Sequence, residues 1–333
     1  MIDPAERTKP LLELRGFTVD FRRNGRWLRV IDNVDLSIAH GESVGLMGES
    51  GCGKSTTANA VLRLLPAGTQ ARVSGSALYE GRDLLRLSSA EMRRVRGREI
   101  TLIPQDPLAA LNPLFTIGVQ VREAVAAHGR HTNSELRETA LRSLARVRLD
   151  APEMRARQYP HELSGGMRQR VVGAIATACG PRLLIADEPT TALDVTLQAQ
   201  YLDMLAELKR DSGLSMLFIT HDPGVVARLC DRVAVMYAGR IVESGPVAQI
   251  LAAPAHWYTR ALLDSIPPLD RRLPRLSTVA GAPPKLGEIV AGCRFAARCA
   301  RVASACHESE PGLTSSTVDR AVRCWFPAVG PRA

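Results

Sequence analysis

The chain lacks any apolar run of the ~18 residues that a membrane span requires, so no segment reads as a transmembrane helix. Its opening stretch, Met1 to Pro10, is polar and carries Pro, Asp and Glu, which excludes a secretory signal peptide. Aromatics are scarce, at 4%, and no dense Lys/Arg block is interleaved with them. The net charge of +9, from 43 Lys+Arg against 34 Asp+Glu, therefore reads as a solvated, Arg-rich surface plus an anion site, not as a nucleic-acid interface. Internal repeats, low-complexity tracts and the short C-x2-C pairs of zinc ribbons are all missing. These absences predict a cytosolic protein, which must dock on partner subunits if it serves a membrane process. In that reducing compartment seven cysteines point to metal ligation or free thiols, not disulfides.

What is present suits a globular chain. Its 333 residues, 45% hydrophobic and 23% charged, are enough for two domains and a large core. Short strands are expected at Leu11–Leu14, Phe17–Phe21 and Val30–Ile38, with turns at Asn24-Gly25 and His40-Gly41, and again at Val73–Tyr79 before Gly81. Ile100–Ile103 is an apolar strand running into Pro104-Gln105-Asp106-Pro107. Residues 116–160 read as mostly helical. Thr132 with Glu135 three residues on forms a capping-box pattern, and Leu136, Ala140, Leu144 and Val147 line one face after it. Leu183–Ala186 and Met216–Ile219 fit buried parallel strands, and Ala238-Gly239 reads as a hairpin turn. Beyond about residue 246, Pro254, Pro267, Pro268, Pro274, Pro283 and Pro284 break the chain into short pieces, a linker-rich extension that ends in four cysteines.

Two short segments carry the chemistry. Gly48-Glu49-Ser50-Gly51-Cys52-Gly53-Lys54-Ser55 fits the phosphate-loop pattern G-x-x-x-x-G-K-[ST]. The apolar strand Ser43–Met47 precedes it, and a helix expected over Ser55–Leu65, stopped by Pro66, follows. Glycines at such a turn let backbone N–H groups close around a phosphate, and the helix N-terminus adds its positive dipole end. Lys54 would reach the β- and γ-phosphates, and Ser55 would bind Mg²⁺. Cys52, beside Lys54 and near a helix N-terminus, is expected to be a reactive thiolate. The second segment is Leu163-Ser164-Gly165-Gly166-Met167, followed by Leu183-Leu184-Ile185-Ala186-Asp187-Glu188.

In this order and spacing the segments resemble the ATP-binding-cassette (ABC) ATPases that drive transporters. The resemblance covers about residues 11–245 and implies an α/β fold: a phosphate-loop cassette with a mixed sheet core, an antiparallel β subdomain and a helical subdomain at about 104–165. It implies one cassette over 1–245 and an extension over 246–333. By that resemblance ATP is held by Gly48, Glu49, Ser50, Gly51, Cys52, Gly53, Lys54, Ser55 and Thr56, with Phe21 stacked on the adenine. Gln105 senses the γ-phosphate, and Ser55, Gln105 and Asp187 serve Mg²⁺. Glu188 is the general base, His221 the switch histidine and Asp194, in Ala192-Leu193-Asp194, the D-loop acid. Ser164, Gly165, Gly166 and Met167 act on the nucleotide of the opposite subunit. Many members carry Gln where Met167 stands; Ser164 and the glycines are kept. Singly, a His or an Asp-Glu pair after a strand is most often structural; order and spacing carry the assignment.

Tyr159 to Arg170, Ala186 to Asp194 and the tail segment His256 to Leu263 with Ile266-Pro267 look like the D-type ATPase of oligopeptide and dipeptide importers. That likeness implies an F-type ATPase partner, two integral-membrane permease subunits, an extracytoplasmic binding protein and a place on the cytoplasmic face of the membrane. Cys293, Cys299, Cys306 and Cys324, spaced C-x5-C-x6-C-x17-C, can close on one centre. Cys₄ ligation suits a [4Fe–4S] cluster, which relatives carry here, with zinc or free thiols as the alternatives. Cys52, Cys179 and Cys230 are otherwise small packing residues. Nickel chelates or glutathione are the alternative cargoes. A soluble ABC ATPase acting on nucleic acid lacks its expected insertion or second cassette, and intact Glu188 and His221 oppose a non-catalytic metal-binding module.

Overall fold

The structure, a computed structural model, describes residues 9–66, 68–191, 193–266, 278–285, 287–288, 291–317 and 319–330. Pro267, Pro268 and Pro274, expected to break the extension, lie outside the described residues, as does Ala192 of the expected D-loop. In chain order the elements are β1 (Leu12–Arg23), β2 (Arg26–Ile38), β3 (Ser43–Met47), α1 (Lys54–Val61), β4 (Ala71–Tyr79), β5 (Arg82–Asp83), α2 (Ser89–Val95), β6 (Ile100–Ile103) and α3 (Pro107–Ala110). Then come α4 (Ile117–Ala126), α5 (Asn133–Arg146), α6 (Pro152–Arg155), α7 (Gly165–Thr177), β7 (Leu183–Asp187), α8 (Val195–Ser212), β8 (Ser215–Thr220) and α9 (Pro223–Leu229). The chain closes with β9 (Arg232–Tyr237), β10 (Arg240–Pro246), α10 (Val247–Ala252), α11 (Trp257–Asp264), α12 (Ser304–Glu308), β11 (Thr314–Thr317) and β12 (Arg320–Val322).

These elements form two compact units. One holds Ile38–Ser43 and Arg86–Phe218 with the N-terminal stretch through Leu11. Here β6 pairs in parallel with β7, and the five residues of β7 are all buried, as a strand covered on both faces requires. Helices α4, α5 and α7 pack on one another. The Thr132–Glu135 capping box forms as expected: the Thr132 hydroxyl accepts from the Glu135 N–H (3.3 Å) and the Glu135 carboxylate from the Thr132 N–H (2.7 Å). On the face that follows, Ala140, Leu144 and Val147 are buried and Leu136 is half-buried.

The other unit holds Leu12–Ser37, Val44–Leu85 and Ile219–Ala333. Its first sheet has the order β2-β1-β4-β5. Asn24 and Gly25 turn β1 into β2 with left-handed backbone at both positions (φ 50° and 76°), the turn whose twist matches paired strands. Its second sheet is mixed: β3 runs parallel to β9, while β10 is antiparallel to β9 and to β12. Helix α1 ends at Val61, short of the expected Leu65. Arg63 takes a left-handed conformation (φ 53°), and the N–H groups of Arg63 and Leu64 donate to Ala60 (3.0 Å) and Asn59 (2.7 Å). That is a Schellman stop, made before Pro66 is reached.

Residues on either side of the boundary expected at 245/246 share this unit. Tyr258 and Phe295 from the extension join Met47, Val235 and Tyr237 in one buried cluster, with ring centroids 4.6 Å (Tyr237–Tyr258) and 5.3 Å (Tyr237–Phe295) apart. The fully buried Glu243 carboxylate accepts from the N–H of Ala255 (2.7 Å) and His256 (3.0 Å) and from Arg320 (2.7 Å). The described part of the extension therefore has aromatic and ionic anchors that its scattered prolines conceal. Among the described residues no helix is long and apolar enough to cross a membrane.

Candidate functional site

The phosphate loop runs from the end of β3 to the start of α1, as expected. Gly48 and Gly53 are dictated by close approach. A Cβ at Gly48 would stand 2.2 Å from the Met236 carbonyl, and one at Gly53, whose φ is 111°, 2.5 Å from Ile31. Lys54 is 4% exposed, and its ammonium donates to the carbonyls of Gly48 (2.7 Å) and Glu49 (3.1 Å). The cation is thus held inside the loop. Ser55 and Thr56 lie half-buried in the first turn of α1.

Two expectations for the loop change. Glu49 offers neither its amide nor its carboxylate to a phosphate: the N–H donates to the Tyr258 hydroxyl (2.8 Å), and the carboxylate pairs with Arg298. Cys52 is buried against Gly48, and burial pushes its thiol pKa up, outweighing the nearby Lys54 charge. The expected reactive thiolate is replaced by a packed, protonated thiol, because a helix terminus and a cation cannot offset the lost hydration here. We therefore expect iodoacetamide at neutral pH to leave Cys52 unlabelled and ATPase activity unchanged; rapid labelling with loss of activity would show the thiol to be open.

Beside Gly51 lies a cleft of about 720 Å³, also lined by Trp27, Arg72, Lys285 and Arg294. Its size and basic lining suit a polyanionic ligand of nucleotide size. The Arg72 guanidinium stacks over Trp27 at 3.8 Å. Phe21, expected against adenine, does not line this cleft; it pairs with Ala71 across the β1–β4 register. Trp27, the second residue of the hairpin's second strand, is the aromatic placed there.

The other unit carries most of the remaining motifs. Asp187 is buried at the end of β7, and Glu188 follows it with φ 46°, a left-handed conformation strained for a side-chain-bearing residue. The Glu188 carboxylate accepts from the Thr191 hydroxyl (3.1 Å). Gln105 is exposed in the bend between β6 and α3. Ser164 caps α7, its hydroxyl accepting from the Met167 N–H (3.3 Å); Gly165 is exposed and Gly166 packs on Leu197. Asp194 caps α8 by accepting from the Leu197 N–H (2.9 Å). In the phosphate-loop unit, His221 is exposed directly after β8. The donors expected for Mg²⁺, at Ser55, Gln105 and Asp187, are all oxygens, the hard set that ion takes.

Cys293, Cys299, Cys306 and Cys324 line one small cavity of about 10 Å³ with His256, Trp257 and Trp325. All four are free thiols. Burial raises the pKa of Cys293, Cys299 and Cys324, the last to about 11, and the neighbouring thiols add to the effect. The donors fit a thiophilic centre in kind. Among the described residues, however, no three His, Cys, Asp or Glu side chains stand close enough together to hold a metal ion. The expected [4Fe–4S] cluster is therefore not supported by this arrangement: the four thiols line one cavity but do not stand close enough together to share a metal.

The fold and these segments define an ATP-binding cassette. The ABC transporter family model matches residues 31–191, and the model of the oligopeptide/dipeptide transporter C-terminal region matches 242–306. A probable peptide ABC transporter ATP-binding protein of Sinorhizobium fredii is 49% identical over 95% of this chain and 94% of its own length. A protein of Brucella abortus named as a peptide import ATP-binding protein is 45% identical over 96% and 95%. A dimeric ATP-binding cassette solved in a post-hydrolysis state with ADP and phosphate superposes with a TM-score of 0.63 at 29% identity, covering 71% of this chain and 98% of that one. The chain belongs to the ATP-binding, ATP-hydrolysing subunits of ABC transporters. Within them it falls in the oligopeptide/dipeptide group.

Proposed function

We propose that this chain is the D-type ATPase of a peptide importer, bound at the cytoplasmic face of the membrane. It would work with an F-type ATPase, two permease subunits and, indirectly, an extracytoplasmic binding protein. The observation that carries the reading is the extension fused to a single cassette, matched by the oligopeptide/dipeptide C-terminal model. Relatives named for peptides favour that cargo over nickel chelates or glutathione. Exposed Leu114 (79%) and Phe115 (47%), shortly after Gln105, offer an apolar surface for a permease.

In this reading Lys54 neutralises the phosphate oxygens; Ser55, Gln105 and Asp187 would supply oxygen ligands to a Mg²⁺ ion, which would add to that charge neutralisation. Glu188 takes a proton from the attacking water, and His221 holds the γ-phosphate. Phosphoryl transfer asks chiefly for such positioning and charge neutralisation. Trp27 replaces Phe21 as the proposed adenine platform, on the strength of its place in the cleft. Ser164, Gly165, Gly166 and Met167 serve the nucleotide of the partner ATPase, with Asp194 beside them in the D-loop. With one copy of each motif, the isolated chain should hydrolyse ATP slowly and the assembled transporter fast. High, concentration-independent turnover by a monomer would contradict this.

The four tail cysteines are proposed to hold a [4Fe–4S] cluster, or zinc in its place. Convergence of four thiols on one cavity supports this. The four cysteines would hold such a centre as thiolates, and its role would be to pin the extension. Anaerobically purified protein should contain about four irons per chain, the stoichiometry of that cluster. Stoichiometric zinc would leave only the site, and four freely titrating thiols without metal would end both.

A further inference from the structure

Arg298 lies 249 positions from Glu49, in the Cys-bearing tail, yet grips the phosphate loop. Its two terminal nitrogens donate to the two oxygens of the Glu49 carboxylate (2.7 and 2.9 Å), the bidentate fork that suits guanidinium and carboxylate. The same guanidinium donates to the Ala280 (2.7 Å) and Val279 (3.3 Å) carbonyls and to the Tyr237 hydroxyl (3.3 Å). The Arg298 side chain is 4% exposed and the Glu49 side chain 26%, so the cation is buried while the carboxylate keeps one edge in solvent. A second contact arrives from α11, where the Tyr258 hydroxyl accepts the Glu49 N–H. Phe295, three residues before Arg298, packs against both Tyr237 and Tyr258.

The need for such a grip follows from charge. Glu49 is an acid within a loop whose task is to gather N–H donors and a lysine around a polyanion. Left unpaired, its carboxylate would oppose the phosphates across a short distance and compete for Lys54, whose ammonium already touches the Glu49 carbonyl.

We propose that Arg298, with Tyr258, is a positioning residue for the phosphate loop: by neutralising Glu49 and turning it outward, the tail completes the nucleotide site. The inference rests on the reading that this loop binds ATP. It assigns the extension a direct part in nucleotide affinity, separate from any metal its cysteines hold.

The test measures MgATP binding to the full-length chain and the KM and kcat of the assembled transporter. Arg298→Ala should raise the Kd and KM by about tenfold, which corresponds to about 1.4 kcal/mol, with kcat at saturating ATP within about twofold of wild type. Arg298→Lys, which keeps the charge but not the fork, should fall between. The double variant Glu49→Gln/Arg298→Gln should recover most of the affinity, because both charges are gone. A merely structural role would lower the melting temperature and kcat together, leave KM in place and show no recovery in the double variant; that outcome overturns the proposal. Should Arg298→Ala fail to fold, Arg298→Lys and the double variant decide alone. If the wild-type chain does not bind MgATP, the nucleotide reading itself falls. If it binds and Arg298→Ala binds equally well, only the positioning role falls.

Discussion

Glu188→Gln is expected to bind MgATP normally and to lower turnover of the assembled transporter by at least ~10²-fold, the usual worth of a positioned general base. Glutamine keeps the shape of the side chain, and its amide oxygen can still accept from the Thr191 hydroxyl, so the local contact survives. What it cannot do is take a proton from water. The strained backbone at Glu188 (φ 46°) follows a strand buried over all five residues, so the carboxylate is aimed by a rigid support. With binding intact and hydrolysis blocked, ATP-dependent dimers should accumulate on size exclusion. Turnover near the wild-type rate in the assembled transporter would remove Glu188 from the role of base.

Lys54→Ala acts one step earlier. The ammonium is almost fully buried and fixed by two loop carbonyls, so its charge is in place before a nucleotide arrives. Its loss removes the cation that meets the phosphates and leaves the Gly48 carbonyl without its donor. We expect MgATP affinity to fall by roughly 10- to 10²-fold, the range of a hydrogen bond to a charged group at 1.5–3 kcal/mol, and ATPase activity to reach background. Unchanged binding, measured by calorimetry, would show that the loop holds phosphate through its backbone alone. The two variants thus separate: one should bind normally without turning over, the other should bind more weakly and not turn over.

Local chemistry was legible in the residues themselves. The Asn24-Gly25 turn, the Thr132–Glu135 box, the buried Leu183–Ala186 run and the loop at Gly48–Ser55 each depend on neighbours within a few positions. Where the reading departs from the structure, a distant partner or the solvent decides. Helix α1 stops at a left-handed Arg63, a conformation that no propensity assigns to arginine. Cys52 has the neighbours of a thiolate but no water to hydrate one. Choosing Trp27 over Phe21 required knowing which side of the hairpin borders Gly51. The Glu49–Arg298 fork joins residues 249 positions apart, a distance that no local pattern spans. The prolines of the tail read as a linker-rich extension. Tyr258 and Phe295 supply what composition hid, because two rings placed against Tyr237 bury more than their number suggests.

The decisive measurement is peptide uptake by proteoliposomes that hold the permease pair, this chain and its partner ATPase, with ATP enclosed and peptide-loaded binding protein outside. Uptake should require ATP, rise together with its hydrolysis, and collapse when this chain carries Lys54→Ala or Glu188→Gln. Uptake that proceeds at the same rate with either variant, or without this chain, would contradict its assignment as an ATPase that drives peptide import.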